Sequence, residues 1–396
     1  MPVRRWGPAL AATLALATLV PGPASAIPAF ARRYKVSCQT CHDPFPKLND
    51  FGSQFAANGY RMSPTEEPMD TIGTGDELLA LMKDVPLAVR LEMYAQGYAN
   101  GNVATDFQYP YGLKLLSGGA ISKKISYYFY TFLVERGDIG GVEDAFLHIN
   151  DVGGAPVDLA VGQFQVSDPL FKRELRLEFE DYAVYRVRVG DVPIDLTYDR
   201  GLMGMADLGG FTFTAEVLNG SGIGGAQANR RYDTDASKNL FLHVTRDIAA
   251  PLRLGTFGYY GRSTANGTTN KTRMVGVDGT VTLGPVELNG QFVHRRDDEP
   301  TYAGGEPEVR VNGGFGEMII RPANSRFYGF ALYNLVTANR PLMDVRLGGP
   351  GPGKRYESIS GGIGHLLQRN LRVSGEMTYD VEQELARVTV GIVAAF

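Results

Sequence analysis

The sequence predicts a mainly β protein: a transmembrane β-barrel of about sixteen antiparallel strands with a small α-helical plug segment at its N-terminal end. Three observations predict it. Runs of strand length alternate apolar and polar residues, and the connections between them alternate short and long. The chain is also rich in Gly (49) and in Tyr and Phe (20 each), yet its mean hydropathy is only −0.13. Lipid-facing and lumen-facing residues average out along a barrel strand, which gives that middling value. A net charge of −4 excludes a nucleic-acid footprint. Beyond the first twenty residues no run is apolar for long enough to make a membrane helix.

In chain order, residues 1–26 read as an export signal. Arg4 and Arg5 are its positive start, residues 8–20 its apolar run, and Ala24-Ser25-Ala26 a small-residue cleavage site before Ile27. The run is too short for an anchor, and Pro21 and Pro23 close it. About 370 residues then remain, enough for one large or two modest domains.

Residues 27–84 form the second unit. Cys38-Gln39-Thr40-Cys41-His42 spells C-x-x-C-H, the pattern of covalent haem attachment. Cys38 and Cys41 are spaced to add across the two vinyl groups of one haem c, and His42 follows as the proximal iron ligand. These are the chain's two cysteines, so nothing is left over for another disulfide. A zinc site would need two more ligands, and none of the other four histidines is close in sequence. A redox dithiol would sit in a βαβ context that the sequence lacks. Haem attachment occurs beyond the inner membrane, in agreement with the export signal.

Residues 44–58 read as one helix with Pro44 at its start, Leu48, Phe51 and Phe55 along one face, and Asn58-Gly59 as its stop. That stripe is a candidate haem-packing face. Thr74-Gly75-Asp76-Glu77 reads as a capping box opening a second short helix through Leu78, Leu79 and Met82. The distal iron ligand is assigned to Met62, which follows the helix stop at a distance that lets the chain return to the other haem face. Met69, Met82 and His148 are the competitors. About sixty residues bury a haem poorly alone, so this unit is expected to lean on or enter the barrel.

The barrel fills residues 85–396. In its last strand Val388, Val390, Ile392 and Phe396 share one face, with Arg387, Thr389 and Gly391 on the other. The preceding strand sets Leu371, Val373, Met377 and Tyr379 outward against Arg372, Ser374, Glu376 and Asp380 inward. Tight turns are expected at 118–119, 151–154, 249–251, 284–285, 322–325 and 368–370. Longer loops are expected at 100–105, 219–237, 263–271, 296–308 and 339–354. Short turns on one rim and long loops on the other are the asymmetry of outer-membrane barrels, turns facing the periplasm. Residues 165–193, between the fifth and sixth strands, mix Lys172, Arg173, Arg176 and Arg186 with Glu174, Glu178, Glu180 and Asp181. This third external loop is expected to fold into the lumen.

Two resemblances add to this reading. The run from Ile27 to Arg32, the C-x-x-C-H, Phe45-Pro46-Lys47-Leu48-Asn49-Asp50-Phe51-Gly52 and Asn58-Gly59-Tyr60 resemble the fused outer-membrane monohaem cytochrome c–porins, best known from iron-oxidising bacteria. The loop region after Gly162-Gln163-Phe164-Gln165-Val166 resembles the constriction loop of phosphate-selective porins. The first resemblance implies electron transfer across the outer membrane, between an extracellular partner such as Fe(II) and a periplasmic c-type cytochrome. An iron oxidiser is expected to carry a second His between the haem His and Phe-Pro; here only Asp43-Pro44 intervenes, which leaves the donor open. Asp297, Asp298, Glu299, Glu306 and Glu308 on an external loop are a candidate cation-attracting patch. Two other functions stay open: a diffusion porin for small anions or solutes with a haem-bearing appendage, and small-gas binding at an open sixth iron position. No nucleophile or paired-carboxylate arrangement points to hydrolytic or acid–base catalysis.

Overall fold

The computed structural model describes residues 29–63, 66, 71–76, 78–79, 81–83, 85–99, 103–345 and 351–396. The export signal, the cleavage site and Met69 lie outside them. Sixteen strands form one barrel. The first eight are β1 (Leu87–Ala99), β2 (Val103–Ala120), β3 (Ile125–Glu135), β4 (Val142–Ile149), β5 (Asp158–Gln165), β6 (Tyr198–Leu208), β7 (Phe211–Leu218) and β8 (Asn239–Ala249). The second eight are β9 (Leu252–Ala265), β10 (Thr268–Leu283), β11 (Val286–Asp297), β12 (Val309–Ile320), β13 (Phe327–Ala338), β14 (Arg355–Gln368), β15 (Leu371–Asp380) and β16 (Leu385–Ala395). Each pairs antiparallel with its neighbour, and β1 closes on β16 with Tyr94 opposite Gly391. Closure leaves no open sheet edge, the condition for a β-structure to sit in lipid.

The alternation seen in sequence resolves into an outer and an inner face. Val388, Val390 and Ile392 of β16, Met377 and Tyr379 of β15, and Val275 and Val277 of β10 are exposed on the outside. Glu376, Thr378, Asp380 and Thr389 are buried on the inside. Apolar outside and polar inside inverts a soluble protein, so this barrel spans a bilayer as bacterial outer-membrane barrels do. The even strand number puts both ends of the barrel on the rim of short turns, the periplasmic rim.

Several local expectations are corrected. The loop expected at 263–271 shrinks to the two-residue turn Asn266-Gly267, both at positive φ, and the strands extend to meet it. Gly118 and Gly119 lie inside β2, with the turn following at 121–124. Their missing side chains admit the N-terminal segment: a Cβ on Gly118 would lie 3.0 Å from the Phe30 ring, and one on Gly119 would lie 2.5 Å from Arg33. The loop expected at 100–105 is shorter, since β2 starts at Val103.

Among its described residues the N-terminal segment has two α-helices, α1 (Ala29–Tyr34) and α2 (Asp50–Ala57). The helix expected over 44–58 thus begins six residues late. Pro46 bars Phe45 from helical geometry, and the Asn49 side chain caps the helix by accepting from the Gly52 N–H at 2.9 Å. The second expected helix is absent among the described residues. Thr71 and Met82 form an antiparallel bridge instead, and the Ile72 N–H donates to the Leu81 carbonyl. The Asp76 side chain accepts from the Leu78 N–H, so the polar residues read as a helix cap make a hairpin turn.

Candidate functional site

The C-x-x-C-H stretch is a tight, cross-braced turn. Ser37 caps a single 3-10 turn, Cys38–Thr40, and both Cys41 and His42 donate N–H groups to the Cys38 carbonyl. Asn49 braces it from beyond: its side-chain amide donates to the Gln39 and Thr40 carbonyls, and its N–H to the Cys41 carbonyl. Gly52 lets α2 approach this turn, since a Cβ there would lie 2.2 Å from the Cys41 carbonyl oxygen. Both thiols are half-buried and free, and burial pushes each above its usual pKa. A reactive dithiol shows the opposite shift.

His42 is held in one orientation. Its Nδ1 lies 2.8 Å from the Pro46 carbonyl, which as an acceptor requires the proton on Nδ1 and leaves the lone pair on Nε2. Burial lowers the imidazole pKa, favouring the neutral ring that a metal ion needs. Such a second partner is how ligating histidines are normally fixed. Two free thiols at x-x spacing beside an imidazole with its Nε2 released fit a covalent haem c.

The remaining sequence-predicted residues separate. Leu48 bridges to His42, and Phe51 on α2 is 41% exposed. Phe55 is buried in an aromatic cluster, 5.1 Å from Phe30 and 5.6 Å from Tyr34. Met62 is partly exposed, its N–H on the Glu66 carboxylate at 2.7 Å, and Met82 sits in the hairpin. His148 is buried on the inner wall of β4, with Nε2 3.7 Å from Asp158.

The described residues around this turn seat on the periplasmic rim. Lys47 pairs with Glu287 at the start of β11 (2.8 Å), and Arg321, from the turn after β12, reaches both Glu287 and the Asp43 carbonyl. Tyr60 stacks on Tyr128 of β3 at 4.7 Å. Phe45 enters a buried cluster with Tyr94 of β1 and Val393 and Ala395 of β16.

Loop 166–197 crosses the lumen, as its charge mixture led us to expect. Asp181 gathers Arg173, Arg176 and Arg186. Burial alone would raise its pKa, but Arg173, then Arg176 and Arg186, hold the carboxyl well below the usual range. Glu174 accepts from Lys114 (2.6 Å) and Tyr130 (2.8 Å) on the near wall. Farther round the wall, Glu376 of β15 takes the Phe179 and Glu180 N–H groups, and Tyr182 donates to Glu317 of β12 at 2.6 Å. Arg295 donates to the Val187 and Ile194 carbonyls at 2.9 Å. Val187–Val189 of this loop also pairs with Met343–Val345 of the loop after β13. Wall residues such as Glu376, Asn334 and Arg295 carry no sequence mark beyond an inward strand position.

Burial, and then the neighbouring Glu317, pushes Glu178 on this loop well above the usual carboxylate range. That upward shift favours the protonated carboxyl, which Glu178→Gln mimics in shape. The expected result is a thermal unfolding midpoint within ~2 °C of the parent, read as loss of the fast-migrating form on unboiled gels. A larger drop means that the carboxyl is ionised.

Comparison with known proteins bears on the barrel. An anion-selective porin from Comamonas acidovorans superposes with a TM-score of 0.59 at 11% identity, over 79% of this chain and 99% of the porin. The outer membrane channel DcaP of Acinetobacter baumannii gives 0.55 at 10% identity, over 79% and 97%. Salmonella typhi OmpF, in complex with daunomycin, gives 0.54 at 11% identity, over 79% and 97%. No protein-family model and no curated protein sequence matches the chain. At these identities the likeness establishes a porin-like outer-membrane barrel fold.

Proposed function

We propose that this porin-like outer-membrane barrel carries one covalent haem c at its periplasmic mouth and passes single electrons between an external partner and a periplasmic carrier. The observation that carries the reading is the His42 seat: C-x-x-C-H with Nδ1 turned to the Pro46 carbonyl and Nε2 released. A bound haem c would supply reversible one-electron exchange at its iron. Cys38 and Cys41 would tether it, His42 would hold one axial position, and Leu48 would pack beside that histidine. Met62, Met82 and His148 remain the described candidates for the second axial position. Lys47, Arg321 and Tyr60 do the mechanical work, fixing the seat to the barrel rim. The external donor, with Fe(II) as one candidate, and the periplasmic c-type cytochrome partner come from the resemblance noted above.

A second reading is a diffusion channel for small anions. It draws on the porin neighbours, which by themselves speak for the barrel and not for the haem, and on the lumen cleft. That cleft is lined by Arg90, Lys114, Arg136, Arg173, Arg176 and Arg372 against Glu92, Glu135, Glu143, Glu174 and Glu178. Six basic side chains thus face five carboxylates on its lining.

An optical redox titration of the detergent-purified protein, followed by Fe(II) addition and a planar-bilayer recording, separates the readings. A six-coordinate low-spin haem that titrates reversibly, in a barrel of negligible conductance, is the expected result. A five-coordinate haem that binds CO rapidly favours gas binding. Protein without haem and with steady anion conductance overturns the electron-transfer reading.

A further inference from the structure

Phe45, three residues beyond His42, does more than anchor the N-terminal segment. Its ring meets the His42 ring edge-on at a centroid distance of 5.4 Å, with the Arg90 guanidinium 5.9 Å from its own centroid. Phe45 shares its buried cluster with Tyr94, and Tyr111 and Phe179 pack against the same cluster. Tyr94 lies 4.6 Å from Phe179 and 5.1 Å from Tyr111, and those two rings are 5.1 Å apart. The Tyr111 hydroxyl then meets Arg136, which is partly exposed in the external connection after β3. Tyr94, Tyr111, Phe179 and Arg136 all line the charged lumen cleft. Ring contacts thus run across the face of the cleft to Tyr94, and Phe45, in the same buried cluster as Tyr94, carries the series on to the His42 ring.

We propose that this column, Phe45–Tyr94–Tyr111 with Phe179, is the electron route between the lumen cleft and the haem seat, and that the cleft takes a small anionic electron donor. The proposal rests on the haem reading above. Conjugated rings in van der Waals contact couple donor and acceptor electronically better than saturated side chains do. The six basic side chains on the cleft against five carboxylates favour an anionic donor. The donor loses one electron and the haem iron gains it. The rings bridge without being oxidised, and no proton moves. The Tyr94 hydroxyl is therefore dispensable and its ring is not.

The test uses the holoprotein in sealed liposomes, with Fe(II)–citrate added outside and haem reduction followed by stopped-flow absorbance. Molecules inserted with the N-terminal segment outward are reduced directly. Those inserted with the loops outward are reduced through the barrel, as a second phase. Tyr94→Leu is expected to slow the second phase at least tenfold and leave the first alone, with haem content, spectrum and midpoint potential unchanged. Tyr94→Phe is expected to keep the parental rate. Tyr111→Leu, a separate break in the column, repeats the slowing should Tyr94→Leu fold poorly. Phe257→Leu, an inward ring elsewhere in the lumen, leaves both phases unchanged. A second phase that Tyr94→Leu and Tyr111→Leu leave intact overturns the route, as does equal slowing by Phe257→Leu or slowing explained by a shifted potential. Parent protein without haem instead overturns the reading on which the route depends.

Discussion

On the proposed haem reading, replacing Cys38 and Cys41 together with serine is expected to abolish covalent haem, from one per chain to none, and to leave the barrel folded. Both halves of that result follow from the contacts. The thiols are free, half-buried and one turn apart, and nothing else in the chain can form a thioether. The forces that seat the segment lie elsewhere: Lys47 and Arg321 on Glu287, Tyr60 on Tyr128, and Phe45 against Tyr94. The double variant should therefore keep its heat-modifiable migration while the haem-stained band at the mature mass disappears. His42→Gly is expected to behave differently, keeping the stained band and losing the low-spin spectrum, because the tether survives while the axial bond does not. Haem-staining that persists in the double serine variant would falsify the thioether assignment.

The fold was legible because each barrel strand faces lipid on one side and water or loop on the other, so period-two alternation marks the strands directly. The C-x-x-C-H turn was legible for another reason: its pattern is local, five residues in a row. What the sequence hid is whatever depends on distant partners. Phe51 and Phe55 share a helical face by spacing, yet one is exposed and the other buried. The helix is only eight residues long and sits on a rim, where the ring cluster of Phe30, Tyr34 and Tyr60 captures just its last turn. The charge mixture of loop 166–197 announced an inward fold but not its anchors. Tyr182 and Glu317 are 135 residues apart, and Glu180 and Arg387 are 207 apart. The Asn266-Gly267 pair is a readable two-residue turn signal, masked by the polar Thr and Ser residues that surround it.

Removing the Asp181 carboxylate should release the lumen loop while the barrel stands. Arg173, Arg176 and Arg186 converge on that one group, and Arg173 is itself buried. In Asp181→Ala three guanidiniums face one another with their shared anion gone, and losing one partner of a buried ion pair costs roughly 3–5 kcal/mol. The cost falls on the loop, since the sixteen-strand ladder makes none of its hydrogen bonds through it. Hydrogen exchange checks this: amide protection across 173–190 should fall about 100-fold or more, given that each 1.4 kcal/mol is tenfold, while strand protection holds. The same release should be reachable by acid. Asp181 has a folded-state pKa below its unfolded value of about 3.9, so its stabilisation is fully present above that pH and is lost as pH falls through the folded value. After correction for intrinsic exchange rates, the parent loop should loosen only in strong acid, and Asp181→Ala should lose that dependence. Equal protection in parent and variant means that the other wall anchors, Glu376 and Arg295 foremost, hold the loop without Asp181, so that its three arginines serve the charge of the cleft and not the path of the chain.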